Sequence, residues 1–467
     1  MSAGAIGSAD AYRSRLGVQG VFVDAADKEP YERSARHGGG HAAGVLRPGS
    51  EKELAWAVGM ASQLGVPVVV QGAATGLVSA ATPTADGRQW VLSTQRVRDV
   101  LEVDPVNRSV RVSAGYRLSD VNRAAAEVGL AFPIDLGADP TIGGMIATNT
   151  GGARLIRYGG VRENLMDLQA VLVEPAGVLV GSERSLRKDN TGLIWAQLLC
   201  GTFGAFGVVS RATLKLHPIQ RQSATALVAV PDTKAAIHLM CELEAEFGEM
   251  ISAFEGLSAG ALDAVRQHQK NVTVPFQTTP SYAVLVEVSS AIPPGRGLDL
   301  EAMMMAWLER RMEAGDLEDA VVDKPAQLWR IRHSVSEAVQ SLGKILAFDL
   351  AVSRSQFAEF RDAALQLVAE IVPAAIACDF GHLGDGGVHL NLVVPAETAP
   401  EKIAQLRDAV YDLTVLRFEG SNSAEHGIGP YNEGYYRRYA DPQTRRLATL
   451  LKGRFDPSGL LGNVHLG

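Results

Sequence analysis

Cysteine is scarce in this chain. Its 467 residues include only three, Cys200, Cys241 and Cys378, and these lie far apart. No CxxC pair is present, so a cysteine-based zinc site or iron–sulfur cluster is not expected. Three distant cysteines also give no disulfide framework, which favours a reducing compartment. The sequence therefore predicts a cytoplasmic protein.

Long apolar runs and dense basic runs are missing as well. No segment approaches the roughly 18 to 20 apolar residues that a membrane-spanning helix needs. Residues 1–10 lack the basic and apolar regions of a signal peptide. The formal net charge is −8, so nucleic acid is not an expected partner. With 46% hydrophobic and 21% charged residues, the composition is typical of a globular protein with two or three domains.

The sequence also lacks the regular strand–helix alternation of a Rossmann sheet. Residues 50–53 form a capping box that predicts a helix ending at Gly65, and residues 66–70 are typical of a buried strand. Further strands and helices follow in irregular order, among them predicted helices over 300–314 and 357–371. This mixture indicates an α+β fold.

Two loops rich in small residues stand out against this background. Residues 71–77 follow the first buried strand, and residues 132–152 contain five glycines. The second segment is too rich in glycine to be the interior of a helix. Small side chains allow backbone amides to approach a phosphate closely. The two loops together predict an extended ligand that carries a pyrophosphate.

Three of the ten histidines fall in two glycine-punctuated segments, residues 380–391 and 421–429. They are His382, His389 and His426, and Glu425 lies beside the last of them. Imidazoles with a carboxylate form a donor set suited to zinc or a similar divalent ion. Between the first two histidines, we expect a tight turn with positive φ at Gly384, Gly386 and Gly387. Such a turn would let His382 and His389 reach one point.

The order of these motifs resembles the FAD-linked D-2-hydroxyacid dehydrogenases. This is the branch of the vanillyl-alcohol-oxidase (PCMH-type) flavoproteins that includes D-lactate, glycolate and D-2-hydroxyglutarate dehydrogenases. The resemblance extends from about Val45 to the end and includes residues 201–209 and 456–463. It implies a PCMH-type FAD-binding domain over 1–218 and an antiparallel-sheet substrate (cap) domain with flanking helices over 219–420. A C-terminal segment, 421–467, would close the active site against the FAD domain.

The resemblance implies FAD as the cofactor, held by the two loops and by two later segments. Because residues 71–77 contain no histidine or cysteine for a covalent link, we expect non-covalent FAD. The implied FAD-binding residues are Gln71, Gly72, Ala73, Ala74, Thr75, Gly76, Leu77, Gly137, Ala138, Thr141, Gly143, Gly144, Asn149, Gly151, Gly152, Val209 and Asn463.

The resemblance also assigns roles in catalysis. The implied metal ligands, for zinc or manganese, are His382, His389 and Glu425, and His426 is the implied general base. Arg332 matches the arginine that binds the substrate carboxylate, with Arg330 as the alternative if the register differs. The other implied substrate contacts are Ser336 and Asn391. The implied reaction oxidises a D-2-hydroxy acid to the 2-oxo acid, with hydride passing to the flavin and then electrons to an electron-transfer flavoprotein, a quinone or another acceptor.

Several positions depart from the family pattern. Ala73 and Ala74 replace glycines, which fits only where φ is negative, and Phe203 replaces a glutamate. Ala347 stands where dicarboxylate-specific members have a lysine, which favours a monocarboxylate or apolar substrate. Three alternatives remain: an oxygen-using oxidase of similar fold, a metal-dependent hydrolase, and a non-catalytic flavin-binding protein. A homodimer is one of the oligomeric states left open.

Overall fold

The computed structural model describes residues 3–182 and 184–467. Two compact units divide them. The first unit contains the chain up to Gly151, Gly159–Ile219 and His426–Gly467, and the second contains Gly152–Tyr158 and Gln220–Glu425.

Strands and helices alternate irregularly along the chain. The strands are β1 (Val21–Phe22), β2 (Gly44–Leu46), β3 (Val68–Gln71), β4 (Trp90–Ser93), β5 (Leu101–Asp104), β6 (Ser109–Ser113), β7 (Leu130–Ala131), β8 (Leu165–Val171), β9 (Leu179–Gly181), β10 (Val208–Lys215), β11 (His217–Pro218), β12 (Gln222–Val230), β13 (Ile251–Ser258), β14 (Tyr282–Ser290), β15 (Asp319–Asp323), β16 (Lys344–Ala351), β17 (Ile376–Gly381) and β18 (Gly387–Val394). The helices are α1 (Ala3–Leu16), α2 (Ala25–Glu32), α3 (Glu51–Leu64), α4 (Leu118–Ala126), α5 (Ile142–Thr148), α6 (Leu155–Tyr158), α7 (Val161–Asn164), α8 (Trp195–Leu199), α9 (Thr233–Phe247), α10 (Ala259–His268), α11 (Leu300–Ala314), α12 (Pro325–Gln340), α13 (Phe357–Ile371), α14 (Pro400–Asp412), α15 (Glu433–Tyr439) and α16 (Pro442–Phe455).

The first unit is built on small sheets. One has the order β1-β2-β4-β3, in which β4 is parallel to both of its neighbours. Another has the antiparallel order β5-β6-β10-β8-β9. Half of the predicted capping box forms at the start of α3: the Ser50 side chain accepts from the Glu53 amide. The Glu53 carboxylate accepts from the amide of Gly49, one residue before the N-cap, and not from that of Ser50 as a capping box requires. The helix ends at Gly65 with φ 64°, as predicted.

The second unit is built on one sheet of seven antiparallel strands in the order β15-β12-β14-β13-β17-β18-β16. Because side chains alternate between the two faces of a strand, Leu257 and Phe380 lie on one face with Leu227 and Leu285. Helices α10 and α12 cover this face and complete its apolar core. Helix α13 contributes Arg361 to the opposite face, where it bonds Asp379.

A short segment, Gly152–Tyr158, belongs to the second unit although the chain on both sides of it belongs to the first. Its Arg154 forms an ion pair with the buried Glu287, and its Arg157 donates to the carbonyl of Ser289 at 2.6 Å. Ala153 packs against the apolar core of the second unit. The segment is therefore part of that unit's structure.

The mixed helices and antiparallel sheets confirm the predicted α+β class. Helices α11 and α13 have the predicted bounds. Among the described residues, no helix has the length and hydropathy needed to cross a membrane.

Candidate active site

The two glycine-rich loops of the first unit meet at Gly72 and Thr141. A Cβ atom placed on Gly72 would lie 2.1 Å from the Thr141 Oγ1, so only glycine allows this approach. Gln71 anchors the start of the first loop, because its buried side-chain amide donates to the carbonyls of Tyr31 and Ala81 at 3.0 and 2.9 Å. The remaining predicted residues of this loop, Ala73, Ala74, Thr75, Gly76 and Leu77, follow the end of β3.

Part of the second loop is a helix, so the prediction that residues 132–152 contain too much glycine for a helix was wrong. Ile142–Thr148 form α5, which contains Gly143 and Gly144. A Cβ atom on Gly143 would lie 2.7 Å from the Ala114 Cβ. Glycine costs a helix roughly 1 kcal/mol relative to alanine. Burial of Ile142, Met145 and Ile146 against the core of the first unit offsets that cost.

Two buried polar atoms lie beside these loops without a hydrogen-bond partner in the described part of the chain. They are the Thr141 Oγ1 and the Asn463 Oδ1. The Asn463 amide nitrogen donates to the Thr82 carbonyl at 2.6 Å, which orients its oxygen. Buried polar atoms normally have partners. These two unpartnered polar atoms therefore fit a polar ligand such as the pyrophosphate of FAD.

The other predicted cofactor residues lie around α5. Asn149 ends this helix with φ 50°, and its side chain accepts from the Arg162 amide at 3.1 Å. The Gly201 and Phe203 amides donate to carbonyls of α5 at 3.0 and 2.8 Å. Val209 lies in β10, while Gly137 and Ala138 precede α5. Gly151 is in the first unit, whereas Gly152 is in the second.

Phe203 has a structural role that its sequence position did not reveal. A Cβ atom on Gly427 would lie 2.3 Å from the Phe203 ring, so the ring packs directly against this glycine. Phe203 itself has φ 55°, an uncommon conformation for a bulky residue. The ring therefore fills space next to the glycine that follows His426 in the sequence.

Ala74 has φ 55°, so the expectation of a negative φ at this position was wrong. An L-residue in this conformation costs roughly 1–2 kcal/mol. We therefore expect Ala74→Gly to raise the free energy of unfolding by about 1 kcal/mol, after the larger unfolded-state entropy of glycine is subtracted. Ala73→Gly is the matched control, because φ at Ala73 is not positive, and it should lower stability. Urea titration of both variants would decide, and equal effects would contradict the strain at Ala74.

In the second unit, the chain reverses between β17 and β18 in a single short turn. Positive φ occurs at Gly381 (133°) and Gly386 (85°). The prediction of positive φ was thus right for Gly386 and wrong for Gly384 and Gly387. Gly384 is instead closely packed, since a Cβ atom there would lie 2.8 Å from Ile156 Cδ1 and 3.0 Å from the Phe254 Cβ. The turn resets the strand alternation between the two histidines that flank it.

The turn brings the three predicted metal ligands together. The His382 Nε2 lies 3.6 Å from one Glu425 carboxylate oxygen, and the His389 Nε2 lies 3.3 Å from the other. The two imidazole centroids are 5.4 Å apart. Two ring nitrogens that converge on one carboxylate fit a divalent ion such as zinc.

Asp349 is a member of this cluster that sequence reasoning missed. It pairs with His389 across β16 and β18, and its Oδ1 lies 3.7 Å from the His389 Nδ1. Its Oδ2 accepts from the Glu425 amide at 3.0 Å. Asp349, His389 and Glu425 each offer a ligand atom within 4.8 Å of the others. Asp349 therefore contacts two of the predicted ligands, and its carboxylate is of a type that could bind the same ion.

Glu255 is the second residue that was missed. Its carboxylate is 1% exposed and accepts from the His382 Nδ1 at 2.7 Å and from the Arg332 Nε. The sequence signal was a single charged residue in β13, a strand whose other residues are uncharged and which is buried along its whole length. Nothing in that strand indicated its partners, which lie 77 and 127 positions away in sequence.

These contacts shift the pKa values of three groups. Burial raises the pKa of Glu255, but Arg332 and His382 outweigh burial and hold it at about 2. Burial lowers the pKa of His382, yet Glu255 and then Glu425 raise it well above its usual value. Burial raises the pKa of Glu425, and hydrogen bonds from the two histidines bring it well below its usual value. The Glu255 and Glu425 carboxylates are thus negative at neutral pH, and Arg332 and the two histidines stabilise that negative charge.

Two of the predicted substrate residues, Arg332 and Asn391, lie on the same side of the sheet, whereas Ser336 is exposed. Arg332 is buried on α12, with its guanidinium carbon 4.8 Å from the centre of the Phe380 ring. Ser336 lies one turn further along α12, and Arg330 is exposed. Asn391 is buried in β18 opposite Ala347 of β16.

His426 follows Glu425 directly in the chain, and it begins the segment that returns to the first unit. Its place next to a predicted ligand thus follows from the covalent chain.

Comparisons with known proteins identify the class of this chain. A family model described as an FAD binding domain matches residues 42–180, and one described as the C-terminal domain of FAD linked oxidases matches residues 219–465. In structure, the chain is similar to p-cresol methylhydroxylase, with a TM-score of 0.73 and 13% identity over 98% of this chain and 96% of that one. This likeness confirms the PCMH-type fold.

Curated relatives narrow the class further. D-2-hydroxyglutarate dehydrogenase of Xanthomonas citri pv. viticola is 33% identical over 94% of this chain and 92% of that protein. The mitochondrial enzyme of Bos taurus is 31% identical over 94% of this chain and 80% of that protein. The chain therefore belongs to the FAD-linked D-2-hydroxyacid dehydrogenase family, as the motifs indicated. It is an FAD-dependent oxidoreductase.

Proposed function

We propose that this protein oxidises a D-2-hydroxy acid to the 2-oxo acid, with non-covalently bound FAD and a divalent metal ion, zinc or manganese. The observation that carries the proposal is the convergence of His382, His389 and Glu425 in a member of this flavoprotein family. The names of the curated relatives, D-2-hydroxyglutarate dehydrogenases, support a 2-hydroxy acid as substrate.

The residues divide the chemistry between them. Arg332 uses its Nε toward Glu255, which leaves its two terminal nitrogens to form a forked pair with the substrate carboxylate. A divalent ion held by the two histidines and Glu425 would lower the pKa of the substrate hydroxyl. His426 takes the hydroxyl proton, for which the ordinary pKa of histidine is suited. Bound FAD would supply the hydride acceptor, and an electron-transfer flavoprotein, a quinone or another acceptor would then take the electrons.

We further propose a monocarboxylate, or a substrate with an apolar side chain. Ala347 faces the same side of the sheet as Asn391, its partner in the strand register. A methyl group there offers no charge to a second carboxylate, whereas it can contact an apolar side chain. The substrate would then differ from the dicarboxylate in the names of the relatives.

Anaerobic titration of the flavin with a substrate panel tests the proposal. We expect D-lactate or D-2-hydroxybutyrate to bleach the visible flavin absorbance faster than D-2-hydroxyglutarate does. Chelation of the metal should slow bleaching strongly, and added zinc or manganese should restore it. Undiminished bleaching of the metal-free protein would contradict the role of the metal. Faster bleaching by D-2-hydroxyglutarate would contradict the substrate preference, and peroxide formed as fast as a dye is reduced would indicate an oxidase.

A further inference from the structure

Glu255 contacts both of the groups that would recognise the substrate. One oxygen accepts from the Nδ1 of His382, a predicted metal ligand, and the other accepts from the Nε of Arg332, the predicted carboxylate anchor. The carboxylate lies within the sheet, on β13, and is almost fully buried. A rigid strand thus supplies one fixed reference point for two side chains.

The bond to His382 determines which ring nitrogen is available to a ligand. An ionised carboxylate can only accept, so the His382 Nδ1 must carry the hydrogen. The lone pair of the neutral ring is then on Nε2, the nitrogen that approaches Glu425. Histidines that bind metals commonly donate their other ring nitrogen to a carboxylate in this way, which fixes the ring and increases its basicity.

The bond to Arg332 orients the guanidinium in the same manner. Since Glu255 engages Nε and the ring of Phe380 packs against the guanidinium face at 4.8 Å, the plane of the group is fixed. Arginine recognises carboxylates through its planar fork. A fixed plane reduces the entropy that is lost when the substrate binds.

We propose that Glu255 is a positioning residue that aligns the metal ligand His382 and the substrate anchor Arg332 with each other. This inference rests on the proposed function of the site. It gives a role to a charged residue in a fully buried strand, where a buried ion pair by itself is weak support for stability. Its loss should weaken metal binding and substrate binding together.

The second unit contains a matched pair that serves as a control. Asp379 is fully buried and accepts two hydrogen bonds from Arg361, at 2.7 and 3.0 Å. The guanidinium carbon of Arg361 lies 4.9 Å from the centre of the Tyr282 ring, much as that of Arg332 lies over Phe380. Asp379 is on β17, and its side chain faces the opposite side of the sheet from Phe380. Both pairs therefore consist of a buried carboxylate and an arginine that lies over an aromatic ring. They differ in that Glu255 lies on the side of the sheet with the predicted site, whereas Asp379 lies on the other side.

Glu255→Gln and Asp379→Asn test the proposal in the full-length flavoprotein. Metal-free wild type and both variants would be titrated with zinc against a chromogenic chelator, with flavin content and thermal stability measured in parallel. We expect Glu255→Gln to keep its flavin and to bind zinc about 10- to 100-fold more weakly, the usual effect of losing such a partner. Its KM for the hydroxy acid should also rise. Asp379→Asn should lose stability but keep the zinc affinity and KM of the wild type.

The outcomes separate this inference from the proposed function. If the wild type binds no zinc or manganese, the metal site fails and the inference fails with it. If the wild type and Glu255→Gln bind zinc equally well, only the inference is overturned. If Asp379→Asn weakens zinc binding as much as Glu255→Gln, the loss reflects general destabilisation and the inference is overturned.

Discussion

His426→Asn should leave the flavin oxidised when substrate is added, although metal and FAD remain bound. A general base contributes about 10²- to 10⁴-fold to a reaction rate, and asparagine cannot take up the hydroxyl proton. We expect the rate of anaerobic flavin reduction to fall by about this factor. Stopped-flow measurement of flavin absorbance would give the rate, and elemental analysis would give the metal content.

An exposed histidine provides the control for this result. His238 lies on α9 with a side chain that is 56% exposed, 3.7 Å from Asp316. In the His238→Asn variant, substrate should therefore reduce the flavin at the wild-type rate. Reduction of the His426→Asn flavin at the same rate would show that another group takes the proton. Loss of metal from His426→Asn would instead assign this histidine to the ligand set.

His382→Ala should remove the metal itself. The site then keeps the His389 imidazole and the Glu425 carboxylate of the predicted set, which is fewer protein ligands than a typical zinc site has. The buried Glu255 also loses one of its two partners, which destabilises the remaining arrangement. We expect purified His382→Ala to contain FAD but almost no zinc or manganese, and its flavin to be reduced far more slowly.

Metal content per flavin is the measurement that decides this prediction. His268→Ala, on the exposed end of α10, is the control and should retain the wild-type metal content. Full metal occupancy in His382→Ala would remove this histidine from the ligand set and leave Asp349 as the candidate to replace it. His382→Ala should thus lose the metal and His426→Asn should keep it, although flavin reduction should be slow in both variants.

Features with local signals could be predicted from the sequence. Helix α11 begins after Asp299, whose side chain accepts from the Ala302 amide, and ends at Gly315 with φ 79°. Both ends were therefore encoded within a few residues. The convergence of His382 and His389 was also predictable, because a short turn with glycines separates them.

Features that depend on distant contacts could not be predicted in the same way. The glycines of α5 indicated a loop, but packing against Ala114 makes them compatible with a helix. Glu255 and Asp349 are important through partners on other strands and helices. The register of the strands determines those contacts, and no sequence motif within β13 or β16 indicated that register. Ala74 shows the same limit for the backbone, since an alanine in the sequence does not indicate the positive φ that this residue has.

Because the chain enters the second unit twice, at Gly152–Tyr158 and at Gln220–Glu425, no contiguous fragment contains the whole of that unit and nothing else. A fragment limited to residues 220–425 would lack Arg154 and leave the buried Glu287 without this cation. It would also expose the core surface that Ala153 covers. An isolated second unit would need residues 152–158 joined to it through a rearranged gene. With the present order of the coding sequence, the complete second unit is therefore made only as part of a polypeptide that also contains residues of the first unit.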